Sequence, residues 1–94
     1  MMPLVWSPAF TRMLKKRVRK NRSLRAVVER TLRQLSADPF HPVLRSHKLI
    51  GKLAGTWSCS VSYDLRIIFE FVENPDTGEE EILLLAVGTH DEVY

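Results

Sequence analysis

The apolar residues in the first half of the chain recur at helical spacing in two stretches. Ser7 and Pro8 precede the first stretch and are typical of a helix start, because serine caps free N–H groups and proline needs no cap. The polar segment Asn21–Ser23 interrupts the pattern, and Asp38 with Pro39 ends it. Two amphipathic helices that form a hairpin are therefore predicted. Their apolar stripes are Phe10, Met13, Leu14 and Val18, and then Leu24, Val27, Val28, Leu32 and Leu35.

The second half of the chain shows the spacing of strands. Trp57–Tyr63 alternates large apolar residues with serines, which predicts a half-buried strand whose serine face is exposed to solvent or functional. Arg66–Val72 is β-branched and aromatic. Ile82–Val87 is continuously apolar, as in a central strand covered on both faces. The short segment Leu4–Trp6 before the helices predicts another strand, which is expected to pair with one of the later strands.

The order of these elements is strand, helix, helix and then three or four strands. It predicts an α+β fold in which an N-terminal strand and a two-helix hairpin pack on a mostly antiparallel sheet of about four strands. Ninety-four residues provide one hydrophobic core, so we expect a single domain over residues 1–94.

Composition excludes several classes of protein. The longest apolar run, Ile82–Val87, is six residues, whereas a membrane-spanning helix needs about 20. Cys59 is the single cysteine, so no internal disulfide can form, and the three histidines show no zinc-site spacing. We therefore expect a cytoplasmic protein without membrane association, metal or cofactor.

Charge is distributed unevenly along the chain, although the formal net charge is only +3. Residues 1–52 contain 13 basic and two acidic residues, whereas residues 53–94 contain one basic residue, Arg66, and nine acidic residues. This asymmetry favours a polyanion partner for the basic half, because Lys and Arg that neutralise phosphates release counterions. The alternative is a solvated helix face balanced by the acidic half of the same fold. The candidate cations of the first helix are Arg12, Lys15, Lys16, Arg19 and Lys20.

Three segments of the second half resemble the RelE-type toxins of bacterial toxin–antitoxin systems. They are Leu49–Trp57, then Asp64–Phe69 with its Asp-Leu-Arg-Ile-Ile-Phe sequence, and Val87–Tyr94, which contains Gly-Thr-His and ends in tyrosine. The last segment is most similar to the YafQ branch. The resemblance implies a RelE-like fold and an mRNA interferase, an endoribonuclease that cleaves messenger RNA on the ribosome without a metal. It also implies a cognate antitoxin, which we expect to be acidic where it binds.

Cleavage of RNA without a metal needs a base, an acid and cations, because the 2′-hydroxyl attacks the adjacent phosphate and a 5′-oxygen leaves. Histidine, arginine and tyrosine can supply these groups. If the strands pair as a meander, five such residues can converge on one face or edge of the sheet. These candidate catalytic residues are His47, Asp64, Arg66, His90 and Tyr94.

The candidates also have ordinary structural explanations. His47 is compatible with an exposed loop histidine, and Asp64 with a carboxylate that caps a turn. Arg66 can pair with a neighbouring acid, although its guanidinium fork matches a phosphate bidentately. We expect the ring of Tyr94, at the chain end, to stack on a nucleobase, and deletion of this residue to change thermal stability little. His41 matches no family position and is predicted to be structural.

The chain departs from the YafQ pattern at two positions. In the region of Ser60 it has a serine where the YafQ branch has a further histidine. It has Leu65 where that branch has a tryptophan. In the RelE branch the site depends on lysines and arginines; Lys48 and Lys52 lie in the loop that would carry the lysines, and Arg66 matches the central arginine of that branch. The two lysines and the cations of the first helix would then bind RNA. Which residue is the general base and which the general acid stays open.

Two other functions are compatible with the same sequence. A ParE-like toxin of the same fold binds DNA gyrase and cleaves no RNA, and an inactive relative would only bind RNA or an antitoxin. The segment His90–Tyr94 favours the nuclease, because a gyrase binder has no chemical reason to retain it.

Overall fold

A computed structural model describes all residues from Met1 to Tyr94. Two short 3₁₀ turns, Pro42–Leu44 and Gly51–Leu53, lie on either side of the second strand. The helices and strands are, in chain order, β1 (Leu4–Trp6), α1 (Pro8–Val18), α2 (Arg22–Ala37), β2 (His47–Lys48), β3 (Trp57–Ser60), β4 (Leu65–Glu73), β5 (Glu80–Thr89) and α3 (His90–Val93). The predicted α+β layout is confirmed, whereas β2 and α3 have no counterpart in the hydrophobic pattern.

Both predicted helices form, and a side chain caps the start of each. Ser7 Oγ accepts a hydrogen bond from the N–H of Phe10 at 3.0 Å. Asn21 Oδ1 accepts one from the N–H of Leu24 at 3.0 Å, so α2 begins at Arg22, two residues before its apolar stripe. Caps of this kind typically contribute about 1 kcal/mol. No helix combines the length and the apolar character needed to span a membrane.

The strands form one sheet in the order β1-β5-β4-β3-β2. Neighbouring strands are antiparallel, except that β1 pairs in parallel with β5. The expected pairing of the first strand with a later strand is therefore confirmed. The sheet has five strands rather than about four, because His47 and Lys48 pair with Ser58 and Trp57 as a two-residue edge strand.

The apolar stripes of α1 and α2 cover one face of the sheet, here called the helix face; the opposite side is the open face. Phe10 and Leu35 on the helices and Cys59 and Ile67 on the strands are fully buried together. Full burial of a large apolar side chain contributes roughly 1.5–3 kcal/mol. Desolvation by burial raises the pKa of the Cys59 thiol to about 12. Trp57 packs on the same core, so the predicted core role of Trp57 and Cys59 is confirmed.

The third strand is shorter than its alternating pattern predicts. β3 ends at Ser60, because the chain then turns and the N–H of Val61 donates to the carbonyl of Leu65 at 2.9 Å. Tyr63 consequently lies outside the strand, with 97% of its surface exposed. The prediction of a strand from Trp57 to Tyr63 is therefore wrong over its last three residues.

The prediction that β5 is covered on both faces is wrong for most of the strand, because on the open face α3 covers only its end at Gly88. Ile82 and Leu84 are fully buried on the helix face, whereas Leu83 and Ala86 on the open face are only half-buried. The physical reason is that α1 and α2 pack on one side of the sheet only. The open face is therefore available for a site.

Candidate functional site

The register of the strands puts polar residues on the open face. Directly paired residues lie on the same side of a sheet, and residues two positions apart share a side. His47 pairs with Ser58, and Arg66 pairs with Ser60, while Cys59 between the two serines is buried on the helix face. His47 and Arg66 therefore both lie on the open face, on the two strands that flank β3 and offset by two residues along it, which places their Cα atoms about 12 Å apart.

The turn before β2 fixes the orientation of His47. Arg45 ends the first 3₁₀ turn in the left-handed conformation, with φ 50° and ψ 40°, which costs a residue other than glycine about 1–2 kcal/mol. Its carbonyl oxygen lies 3.0 Å from Nδ1 of His47. This acceptor requires the proton on Nδ1, so Nε2 of the neutral ring carries the lone pair. Because His47 is exposed, Nε2 is accessible as a proton acceptor.

Tyr94 is anchored although it is the last residue. Its phenol donates a hydrogen bond to Oγ of Ser58, which is fully buried. Its backbone N–H donates to the carbonyl of His90 at 3.0 Å, and 42% of the residue stays exposed. The expectation that deleting Tyr94 changes thermal stability little must be corrected, because the deletion would leave the buried hydroxyl of Ser58 without this partner.

His90 begins α3, and its ring contacts the ring of Tyr94. The two ring centroids are 4.3 Å apart with planes at 88°, an edge-to-face arrangement. Nδ1 of His90 lies 3.6 Å from Oδ1 of Asp91, and the His90 side chain is 70% exposed. The imidazole is thus positioned by Tyr94 and remains open to solvent, as proton exchange with a ligand requires.

The Gly-Thr-His segment has a clear structural basis. A Cβ atom at Gly88 would lie 3.1 Å from atoms of Glu92 and Val93, so glycine permits the close approach of α3 to the sheet. Thr89 then caps α3 in a reciprocal arrangement with Glu92. The helix start places His90 at the edge of the open face.

Glu92 connects α3 to α1. Its carboxylate accepts a hydrogen bond from the N–H of Thr89 at 2.8 Å and forms an ion pair with Arg17. The hydrogen bonds with Thr89, and then the Arg17 guanidinium, hold the pKa of Glu92 below its ordinary value. Arg17 was not identified from the sequence. The available signal was its position four residues after Met13, which puts it on the side of α1 that faces the protein.

Arg66 forms no ion pair, so pairing with a neighbouring acid is not its role here. Its Nη1 donates to the carbonyl of Ser62 at 2.9 Å and to that of Leu65 at 3.2 Å, which holds the guanidinium at the turn between β3 and β4. Asp64 is exposed in the same turn, and its carboxylate caps no backbone amide there. Asp64 therefore lies at the end of the open face rather than beside the imidazoles.

The candidate lysines do not join His47. Lys48 pairs with Trp57, and its Nζ lies 5.7 Å from the centre of a Trp57 ring, a cation–π contact on the helix-face side. Lys52 is exposed in the second 3₁₀ turn. The cations of the first helix are all exposed, on α1 or directly after it: Arg12, Lys15, Lys16, Arg19 and Lys20.

An apolar groove of about 360 Å³ lies between β1 and the two long helices. Trp6, which is 45% exposed, lies on β1 at its border. Lys15 and Arg25 also border it, with Glu29 as the one acid. The apolar lining and basic border of this groove suit an amphipathic protein segment that carries acidic residues. The remaining apolar lining consists of Leu14, Val18, Val28 and Leu32.

The open face thus combines two imidazoles, one guanidinium and an anchored phenol. His47, Arg66, His90 and Tyr94 come to this face, and Asp64 lies at its end. Ser58, which joins the set through Tyr94, was not singled out from the sequence, although the serine alternation of β3 was the available signal. No group of three or more His, Cys, Asp or Glu side chains is placed to hold a metal ion.

Solved structures of toxins share this fold. YafQ from E. coli strain BL21(DE3) aligns with a TM-score of 0.77 at 16% identity, over 100% of this chain and 99% of that chain. The YoeB/ParE toxin from Agrobacterium tumefaciens aligns with a TM-score of 0.76 at 19% identity, over 95% and 99%. A chain of the E. coli DinJ–YafQ toxin–antitoxin complex aligns with a TM-score of 0.74 at 16% identity, over 99% and 97%. The expected RelE-like fold is confirmed.

Sequence comparison identifies the family. None of the curated proteins matches the chain. The family model described as the bacterial toxin of type II toxin–antitoxin systems, YafQ, matches residues 2–94. Because this match extends over nearly the whole sequence, the chain belongs to the YafQ family of bacterial toxins of type II toxin–antitoxin systems.

Proposed function

We propose that this toxin is a ribosome-dependent endoribonuclease that cleaves messenger RNA. The observation that carries the proposal is the pair of exposed imidazoles, His47 and His90, on the same side of the sheet as Arg66. His90 lies on this side because its ring contacts the ring of Tyr94, whose phenol is bonded to Ser58. Together with the ring of Tyr94 they supply a base, an acid, a cation and an aromatic surface. Membership of a toxin family supports a target whose loss stops growth.

In this mechanism His47 is the general base. Its Nε2 takes the proton of the 2′-hydroxyl, and the 2′-oxygen forms a bond to the adjacent phosphorus. His90 is the general acid and protonates the 5′-oxygen as the P–O bond breaks, which yields a 2′,3′-cyclic phosphate and a 5′-hydroxyl. Arg66 neutralises the charge that develops on the phosphate oxygens. Each proton transfer of this kind contributes typically about 10²–10⁴-fold to the rate.

Two further candidates contribute to substrate positioning. The exposed part of the Tyr94 ring stacks on a base of the message, worth about 1–3 kcal/mol. Asp64 helps to position the substrate from the turn at the end of the open face, and the Asp64→Asn variant described below tests this role.

The positive charge on the surface of the toxin indicates which partners it binds. The exposed cations of α1, together with Lys48 and Lys52, bind ribosomal and messenger RNA through phosphates. A cognate antitoxin covers this surface with an acidic segment, and the groove beside Trp6 offers that segment an apolar seat with basic residues at its border. The DinJ–YafQ complex of E. coli supports such a partner.

The test is cleavage of a defined message in a translation extract, with the 5′ ends of the products mapped. We expect His47→Gln, His90→Gln and Arg66→Gln each to reduce cleavage at least about 100-fold, and Asp64→Asn to reduce it less. The rate of the wild-type protein should show a bell-shaped pH dependence, which each histidine variant loses on one limb.

A matched control uses the third histidine. Nδ1 of His41 accepts a hydrogen bond from the N–H of Val43 at 3.1 Å, so the predicted structural role of His41 is confirmed. His41→Asn retains an acceptor for this bond and should cleave like the wild-type protein. An intact message accompanied by inhibited DNA gyrase would replace the proposal with the ParE-like alternative.

A further inference from the structure

A polar pocket lies at the end of the open face, beyond the two imidazoles. It encloses about 370 Å³ between the residue that ends the first 3₁₀ turn and the turn between β3 and β4. Two valines contribute to its lining, and the other lining residues are Arg45, Ser60, Ser62, Tyr63 and Arg66. Of these, only Arg66 belongs to the set proposed above for catalysis.

The charge of the pocket is uncompensated. Arg17 forms an ion pair with Glu92, and the ring of His90 lies 3.6 Å from the Asp91 carboxylate, so neither Arg45 nor Arg66 has a carboxylate partner. The pocket lining contains two arginines and no acid, and Asp64, which is exposed in the adjoining turn, forms a salt bridge with neither arginine. Guanidinium groups without a carboxylate partner are suited to bind phosphate, because their planar fork donates two parallel hydrogen bonds.

The backbone of Arg45 links this pocket to His47. Arg45 has a positive φ of 50°, a conformation that glycine would adopt with less strain. In that conformation its carbonyl contacts Nδ1 of His47 at 3.0 Å, and the same residue lines the pocket. A group bound by Arg45 is therefore next to the imidazole proposed as the base.

Tyr63 adds an aromatic surface. It lies in the turn before Asp64 with 97% of its surface exposed, and its ring takes part in none of the aromatic pairs of the protein. Core packing therefore does not explain a tyrosine at this position. An exposed aromatic ring beside two arginines is typical of a site that binds single-stranded nucleic acid, because the ring stacks on a base and the guanidinium groups bind phosphates.

We propose that this pocket binds the nucleotide next to the cleavage site in single-stranded RNA. Arg66 binds the scissile phosphate, Arg45 binds the neighbouring phosphate, and the base of that nucleotide stacks on Tyr63. The inference rests on the proposed ribonuclease function and names a second point of substrate contact.

The test measures binding apart from cleavage. The probe is a short fluorescent single-stranded RNA with 2′-O-methyl groups, which cannot be cleaved because it lacks the attacking hydroxyl, and the readout is anisotropy. We expect Arg45→Gln and Tyr63→Ala each to weaken binding about fivefold to hundredfold. Tyr63→Phe, which keeps the ring, and Arg33→Gln, which removes an exposed charge beside β1, should stay within about twofold of the wild-type affinity.

Two further variants separate binding from folding and from catalysis. Arg45→Gly relieves the strained backbone, so it should melt at the same or a higher temperature while binding as weakly as Arg45→Gln. His47→Gln should lose cleavage and retain binding of the probe.

The possible failures are distinguishable. If the wild-type protein cleaves message and the Arg45 and Tyr63 variants bind the probe normally, the pocket inference is wrong and the ribonuclease proposal stands. If the wild-type protein cleaves no message on ribosomes, the ribonuclease proposal is wrong, and the inference that rests on it falls too.

Discussion

The phenol of Tyr94 donates a hydrogen bond to the buried hydroxyl of Ser58, 36 residues earlier in the chain. This contact joins the last residue to the sheet and holds the ring against which His90 lies edge-on. The position of His90 therefore depends on a serine that is fully buried and cannot itself touch RNA. Ser58 is a positioning residue in this arrangement.

Removal of this hydrogen bond should affect both stability and cleavage. Ser58→Ala and Tyr94→Phe each remove one partner, and we expect each to lower the free energy of unfolding by about 0.5–1.5 kcal/mol. A loss of about 1 kcal/mol corresponds to a fall of roughly 4–8 °C in melting temperature for a domain of this size. The loss of unfolding free energy in the double variant should be smaller than the sum of the two single losses, because both single changes break the same hydrogen bond. Chemical unfolding of the four proteins measures this coupling.

The matched control is Ser60→Ala, which changes a serine on the same face without touching Tyr94. It should leave the melting temperature close to the wild-type value. Additive losses in the Ser58 and Tyr94 cycle would show that the bond does not contribute in solution. The chain that ends at Val93 should both melt lower and cleave less, since it loses the ring as well.

The attachment of α3 should depend on pH through Glu92. The folded-state pKa of Glu92 lies below its ordinary value of 4.5, so the stabilisation is present above that value and is lost as pH falls through the folded pKa. Glu92→Gln should therefore be less stable than the wild-type protein at about pH 7, and the difference should disappear at about pH 2. Urea unfolding across this range measures it. Glu80→Gln, a change at an exposed residue without a salt bridge, should show no such pH-dependent difference.

The thiol of Cys59 should react only when the protein opens. It is fully buried with a pKa of about 12, so about one thiol in 10⁴ would be ionised at pH 8. Alkylation by iodoacetamide should be very slow in buffer and fast in denaturing urea. A Ser62→Cys variant places a thiol at an exposed position and should label quickly in buffer. Rapid labelling of native Cys59 would contradict the buried position of β3.

Binding to ribosomes should weaken steeply with salt if the cations of α1 bind RNA. Each phosphate contact contributes a slope of about −0.7 to −0.9 to the plot of log affinity against log salt concentration. The double variant Lys15→Gln with Lys16→Gln should therefore reduce the slope by about 1.4–1.8 if both lysines contact phosphates. Sedimentation with ribosomes at several salt concentrations provides the measurement, and Glu79→Gln serves as the control. An affinity independent of salt would remove this role from α1.

Local features of the chain could be predicted from sequence because their causes are local. The helices follow from apolar spacing within a few residues, and their starts follow from Ser7 and Asn21, which bond to amides three residues later. The core position of Cys59 follows from the alternation of β3. The same locality limits the prediction, because alternation continues to Tyr63 although the strand ends at Ser60.

The arrangement of the open face was decided by contacts between distant parts of the chain. Arg17 and Glu92 are 75 residues apart, and Ser58 and Tyr94 are 36 apart. The residue types that suit RNA chemistry, such as His47 and His90, were visible in the sequence, and the family resemblance selected them. The relative position of the two histidines could not be predicted from the sequence, because it depends on strand register and on the packing of α3 against Gly88. Neither of these produces a periodic pattern in the sequence.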